Sequence, residues 1–367
     1  MFIRSILQAS ALLYTTVTAQ TACNNSPSLC SKPYNNITHL GTHNAAFLRD
    51  ASTSFNTAGN QFYNATVQLS AGVRLLTAQV HQFNTSSGQS EWHLCHGDCK
   101  FLDAGPLETW LSEIKSWLDA NTNDVVTLLL VNSDRASGST IGTQFSASGI
   151  DKYAYTPSSN SSSQQTGAAQ QTWPTLESMI SNNTRLVTFV ASLSTPSPQH
   201  PYLLDEFTHV FENDFENESP TDYTCTPHRP SGLNTETALE SNRMFLMNHF
   251  LYSTQTFGIQ TPNVTYTTVT NAASGEGSLG ESVLECSSVY GKAPTFVLVD
   301  FFNVGPAVQS VDRANGVQSA VGRKEVSADI VDERTAPKSS GGAVVRGRGK
   351  ASVVALVGAV VVAVVWA

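Results

Sequence analysis

LETWLSEIKSWLDANTNDVVTLLLV, residues 107–131, carries the fold in miniature. Its first half sets Leu107, Trp110, Leu111, Ile114, Trp117 and Leu118 at helical spacing, one apolar stripe on an otherwise polar helix. The two tryptophans belong to that stripe and are read as packing residues. A polar break at residues 121–124 follows, and then the run 125–131 proceeds without apolar/polar alternation. A strand that is apolar on both faces is covered on both faces, which is the condition of a parallel sheet flanked by helices. Similar runs recur at residues 186–190, 244–247 and 295–301, with weaker ones at 37–43, 73–80, 92–96 and 208–211. These runs, separated by amphipathic or polar stretches, predict a single-domain α/β fold of the TIM-type (β/α)8 barrel.

The segment 133–172, rich in Ser, Thr, Gly and Gln, reads as a long exposed loop or lid. Residues 1–19 carry Arg4, an apolar stretch and the small-residue ending Val17-Thr18-Ala19, the pattern of a cleaved secretion signal. Residues 351–367 are apolar and uncharged; before them come Ser339, Ser340, Gly341 and Gly342 and a spacer with Arg346, Arg348 and Lys350. That arrangement predicts a GPI anchor near Ser340, the alternative being a retained membrane helix at the short limit for spanning a bilayer. The expected plan is therefore a signal at 1–19, the barrel at 20–335, the anchor site and spacer at 336–350, and the removable tail at 351–367. It places a monomer on the outer face of the plasma membrane or in the cell wall.

A secretory route accounts for two further features. The six cysteines are even in number, and proximity favours Cys23 with Cys30, Cys95 with Cys99, and Cys225 with Cys286, although spacing alone leaves fifteen connectivities open. Cys95 and Cys99 beside His93 and His96 also have zinc-ligand chemistry, but oxidation competes for the thiols. Sequons begin at Asn24, Asn36, Asn64, Asn84, Asn160, Asn182, Asn217 and Asn263, with Asn217 disfavoured by the nearby Pro220. A net charge of −9 and 13% charged residues leave no basic stripe for nucleic acid.

Barrel active sites lie at the C-terminal ends of the strands, so the polar residues that end the apolar runs matter most. They are His43, Gln79, His96, Asn132, Asn248 or His249, and Asp300. Two histidines and a carboxylate suit proton transfer at both oxygens of a displacement. His39, His81 and His93 are read as packing or loop residues. No GxSxG, Walker or HExxH pattern is present.

Leu40-Gly41-Thr42-His43-Asn44 resembles the first catalytic-histidine motif of the phosphatidylinositol-specific phospholipases C. Gly72 to Leu76 resembles that family's second strand, Leu94-Cys95-His96-Gly97 the segment with its second catalytic histidine, and the run ending in Asp300 its acidic last strand. The resemblance implies a phosphodiesterase of lipid phosphodiesters in which His43 is the general base, His96 the general acid and Asp300 the residue orienting His43. Asn44, Gln79, Asn132 and His249 are the expected substrate-binding residues. Where bacterial members have Asp and Arg near the end of the second strand, this chain has Thr77 and Gln79, neither able to supply a cation. Arg49, Arg74 and Lys100 are the substitutes weighed, with Arg74 expected on the opposite strand face from Gln79. No cofactor is expected: Asn44 is one ligand type for calcium, but the acidic partners are missing. The alternative reading is a catalytically inert barrel acting as a cell-surface binding or wall-associated protein.

Overall fold

The computed structural model describes residues 21–157, 169, 172–255 and 258–332. The signal and tail segments, and the sequon at Asn160, lie outside the described residues. The chain separates into a unit of residues 1–335 and a second of residues 336–367, and the described residues all belong to the first.

Eight strands form one parallel sheet. In chain order they are β1 (His39–Thr42), β2 (Leu75–Asn84), β5 (Val126–Asn132), β6 (Leu186–Ala191), β7 (Leu203–Asp205), β8 (Val210–Glu212), β9 (Met244–Asn248) and β12 (Phe296–Val299). Their spatial order is β7-β6-β5-β2-β1-β12-β9-β8, and every neighbouring pair on this path is parallel. Helices cover the outside: α1 (Ala65–Ala71), α2 (Leu107–Ala120), α3 (Gly138–Ser148), α4 (Leu176–Ser181), α5 (Glu206–His209), α6 (Thr235–Glu240), α7 (Thr267–Thr270), α8 (Leu279–Tyr290) and α9 (Ala307–Asn315). The sheet curls as a TIM-type barrel that stays open between β7 and β8. The four residues of α5 that join them rise only about 6 Å, too little to carry the chain back and set the two strands side by side.

Side-chain parity explains the unbroken apolar runs. Leu75, Leu129, Val187, Phe189, Met244, Leu246, Phe296 and Leu298 form the cluster inside the barrel. Their chain neighbours Leu76, Leu128, Val190, Phe245, Met247, Val297 and Val299 pack outward with Leu111, Ile114 and Leu118 of α2 in a second cluster. Gly41 sits where the interior is tightest, since a Cβ there would approach Leu298 Cδ2 to 2.6 Å and Leu75 Cδ2 to 2.8 Å.

Two expectations need correction. The run 92–96 is a strand, but β3 (Ser90–Cys95) pairs antiparallel with the long upper part of β2 and with β4 (Asp103–Pro106). It is an arm above the barrel, and the eighth parallel strand is the three-residue β7; β10 (Tyr252–Thr254) and β11 (Gln260–Pro262) form a separate antiparallel pair. The segment 133–172 is also more than a loop. Ser137 caps α3 by accepting from the Thr140 N–H, and Ile141 and Phe145 bury its inner face, followed by a 3-10 turn at Ile150–Tyr153. The disulfides are Cys23–Cys30, Cys95–Cys99 and Cys225–Cys286, the nearest-neighbour pairing. Cys95 and Cys99 are thereby removed as thiolate ligands for zinc.

Candidate active site

His43 follows the last residue of β1, and its N–H donates to Val299 O at 3.0 Å, tying it to β12. Asp300, one residue beyond that carbonyl, turns into the same rim. The imidazole Nδ1–H donates to Asp300 Oδ1 at 3.0 Å, because a carboxylate oxygen can only accept. This fixes the ring with its Nε2 lone pair directed away from the carboxylate. Phe250 stacks on the ring at a centroid distance of 3.7 Å and 6°, and Tyr252 stands edge-on. Behind the pair, Asn60 Nδ2 donates to Asp300 Oδ1 at 2.9 Å and Gln61 Nε2 donates to His43 O at 2.9 Å. Asn271 Nδ2 holds the turn itself, donating to Asp300 O and Phe301 O.

His96 lies just past β3, in the turn closed by the Cys95–Cys99 disulfide. Its Nδ1–H donates to Ala58 O at 2.7 Å, and Phe47 stacks on it at 5.1 Å and 8°. Asn44, the residue after His43, places Nδ2 at 3.3 Å from His96 Nε2. Asn44 sits at φ 51, a left-handed conformation that Asn and Asp tolerate better than other side chains. Both histidines therefore belong to one rim, bracketed by residues 58–61. Burial, and secondarily the charge of His43, push the His96 pKa down to about 4, so its resting state at neutral pH is uncharged.

Thr77 and Gln79 point inward on β2, as parity requires. Thr77 Oγ1 accepts the Asn44 N–H at 2.9 Å. Gln79 Oε1 accepts the Gly97 N–H at 2.8 Å, and its Nε2 donates to Asn44 Oδ1 at 3.4 Å. The other two expected binding residues lie elsewhere. Asn132 is buried, with its amide tied to Ala136 and to Ser192 O. His249 is fully buried, stacks on Tyr223 and donates Nε2–H to Thr270 O. Inward parity on β9 runs Met244, Leu246, Asn248, so the neighbour of His249 is the one that faces the interior.

The substitute cations divide similarly. Arg74 forms a buried ion pair with Asp124 at 2.6 Å below the start of β2, at the base of the barrel. Lys100 is exposed. Arg49 is partly buried, and that burial lowers its pKa. A group the sequence reading passed over stands at the end of β8. Arg229 donates Nε–H to Glu212 Oε2 at 2.9 Å, with a second bond from Nη2, and its guanidinium lies 4.3 Å over Phe215. Burial alone would raise Glu212, but Arg229 and the hydrogen bonds from Glu206, Arg229 and Asn248 hold it below the usual carboxylate range. Burial and the neighbouring Glu212 charge push the Glu206 carboxyl well up, so it is the neutral member of the pair. Glu212 was legible as the polar residue ending the run 208–211. Among the described residues no group of three or more His, Cys, Asp or Glu side chains is gathered as a metal site.

The family model described as PI-PLC X 1 matches residues 29–315. The chain belongs to the PI-PLC X family. A PI-PLC X domain-containing protein 1 of Arthroderma benhamiae is 33% identical over 323 residues, covering 86% of this chain and 98% of that protein. An uncharacterized secreted protein of the same fungus is 35% identical over 294 residues, 79% of this chain, and the match spans 62% of that relative's length. Among solved structures, a phosphatidylinositol-specific phospholipase C of Staphylococcus aureus has the same fold at a TM-score of 0.50 and 14% identity, with 80% of this chain and 97% of that one covered. The PI-PLC X assignment and the barrel thus agree, and the three disulfides fit an extracellular protein.

Proposed function

We propose that this protein is a secreted phosphodiesterase that cleaves a phosphoinositide-type or other lipid phosphodiester, with His43 as general base and His96 as general acid. The observation that carries this reading is the His43–Asp300 pair at the same rim as His96, which Asn44 reaches from the position next to His43. With Nδ1–H held by Asp300, the Nε2 lone pair can take the proton of a substrate hydroxyl, and the carboxylate stabilises the imidazolium that forms. The hydroxyl oxygen bonds to phosphorus, and the leaving oxygen departs with a proton from the charged form of His96, which belongs to the acid side of neutrality. When the hydroxyl belongs to the head group itself, the product is a cyclic phosphodiester. The proposed chemistry uses side chains alone. The name of the solved S. aureus relative, a phosphatidylinositol-specific enzyme, supports the substrate class.

The same reading keeps the GPI anchor near Ser340, glycans on the exposed sequons and a monomer. The chain after α9 is tied along the barrel. Val321 pairs with Asn25 near the base, Lys324 N–H donates to Ser70 O, and Asn303 Nδ2 donates to Ser327 O. Ile330 and Val331 then pack with Phe62, Phe301 and Val304 beside the site.

The test is turnover of phosphatidylinositol, glycosyl-phosphoinositide and other phospholipids by the purified protein, with and without calcium. We expect product from the wild type and none from His43→Ala; an unreactive wild type across the panel would remove the proposal. A second reading, an inert barrel that binds ligands at the cell surface or wall, is favoured by one feature. Thr77 and Gln79, where bacterial members carry charge, are both held in hydrogen bonds within the protein. It predicts ligand binding without product.

A further inference from the structure

Four hydrogen bonds around His96 run in one direction. Gly97 N–H donates to Gln79 Oε1 (2.8 Å), Gln79 Nε2 to Asn44 Oδ1 (3.4 Å), Asn44 Nδ2 to His96 Nε2 (3.3 Å), and His96 Nδ1 to Ala58 O (2.7 Å). The two ends are backbone groups with no freedom: an amide N–H only donates and a carbonyl only accepts. The Gly97 end orients Gln79, Gln79 orients Asn44, and Asn44 then offers an N–H to His96 Nε2, which must hold a lone pair. The Ala58 end independently requires the hydrogen on Nδ1. Both ends specify the same neutral tautomer.

Charging His96 would set its Nε2–H against the Asn44 amine. Reversing Asn44 would require reversing Gln79, and that would set an amine against Gly97 N–H. One donor in the chain would then be left facing another donor, and the bonds at Asn44 and His96 are partly buried, where a mismatch costs more than at the exposed Gly97 end. The ionisable neighbours give no relief. His43 just past β1 and His81 on β2 oppose a positive charge, and Asp98 and Lys100 of the same turn are exposed. Asp103 is held by His93, and Asp300 by His43 and Asn60. The downward shift of the His96 pKa to about 4 agrees with this arrangement.

We infer that the Gln79–Asn44 pair acts as a selector: it holds His96 as a proton acceptor, and so restricts the site at neutral pH to phosphodiesters whose leaving oxygen departs as a stable anion. In that reaction the nucleophilic hydroxyl loses its proton to His43, its oxygen bonds to phosphorus, and the other P–O bond breaks with the electron pair leaving on an acidic alcohol such as a phenol. A lipid alkoxide has no such stability and waits for a charged His96, on the acid side of neutrality. Asn44 and Gln79 are in this sense positioning residues, and the inference about substrates rests on the phosphodiesterase reading.

The decisive experiment is nitrogen NMR of the intact protein labelled with ¹⁵N at histidine. At pH 7 the wild type should show His96 as the Nδ1–H tautomer, titrating below pH 5. Asn44→Asp, which suits the left-handed backbone and offers a carboxylate, should raise that midpoint by about 1–3 units. His43 should stay hydrogen-bonded to Asp300, which serves as the control for folding. A wild-type His96 protonated on Nε2 or titrating above pH 6, or an unmoved midpoint in Asn44→Asp, would overturn the selector. In parallel, 4-nitrophenyl inositol phosphate and phosphatidylinositol vesicles are compared at pH 7. Asn44→Asp should raise the lipid-to-aryl rate ratio at least about tenfold, the scale of a general-acid contribution; an unchanged ratio counts against the selector. Failure of both proteins on both substrates would overturn the phosphodiesterase reading instead, and the spectrum would still decide the hydrogen-bond chain.

Discussion

The His43 and His96 halves of the site share one rim and differ in what stands behind each ring. His43 is backed by a carboxylate, itself braced by Asn60, on strands β1 and β12 in the body of the barrel. His96 is backed by a backbone carbonyl and two neutral amides, on an arm outside the parallel sheet. The same side chain is thereby given opposite tendencies. In the proposed reaction Asp300 is the partner of the imidazolium formed on His43, whereas beside His96 the Ala58 carbonyl alone favours a charge and burial outweighs it. The lesson is that two histidines at one rim do not by themselves make an acid and a base; their partners decide.

The contrast predicts a ranking. Replacing His43 by Ala should lower phosphodiester turnover by about 10³-fold, within the usual range for a general base, measured as kcat at saturating substrate. Asp300→Asn should cost about 10²-fold or more, since the amide can hold the wrong tautomer of His43, and nitrogen NMR of the ring would confirm the cause. His96→Ala should cost about tenfold or less at pH 7 but much more at pH 5, because only the charged ring donates a proton. Equal losses for both histidines at pH 7 would erase the distinction between the halves.

Stability should show the same bias. His39, His96, His209 and His249 all have pKa values pushed down to about 4, burial being the first cause in each. The unfolded chain, with histidines near 6.5, binds more protons than the folded one between those limits. Stability is therefore full above about pH 6.5 and is lost as pH falls toward 4, by several kcal/mol in all. Denaturant melts at pH 7 and pH 4.5 measure it, and equal midpoints would contradict the buried neutral imidazoles. The smallest effect concerns the glycans. Asn36, Asn64, Asn84 and Asn182 are exposed, whereas Asn24 and Asn217 are buried, with Asn24 Oδ1 accepting the Val125 N–H. Peptide mass spectrometry should find sugar on the first four and none on the last two.

Much of this was legible in the sequence, for identifiable reasons. Runs such as 125–131 and 295–301 are continuous because inward and outward side chains are both buried, so the parallel barrel could be read directly. The run 92–96 was read correctly as a strand, but composition carries no pairing direction, and only the hairpin with β2 reveals an arm. β7 is three residues long, too short for any period, and α3 hides behind Ser, Thr and Gly because its fold rests on Ile141 and Phe145. At the site, His43 and Asp300 meet just past β1 and β12 as the strand ends implied, whereas His96 reaches them from the antiparallel arm, Gln79 lies within the long β2, and Asn44 was named by the family resemblance. Asn132 and His249 were misplaced by one residue of parity, a slip that sends a side chain to the other face of the sheet. Asn60 and Ala58 gave no signal at all, because one acts from a loop and the other through its carbonyl.

Phosphorus NMR of phosphatidylinositol micelles incubated with the protein, followed from pH 5 to pH 8, addresses the His43–Asp300 dyad most directly. The resonance of a five-membered cyclic phosphodiester should grow with the wild type, fastest on the acid side, and be missing with His43→Ala. Its absence at every pH with the wild type, or equal growth with the variant, would contradict the mechanism.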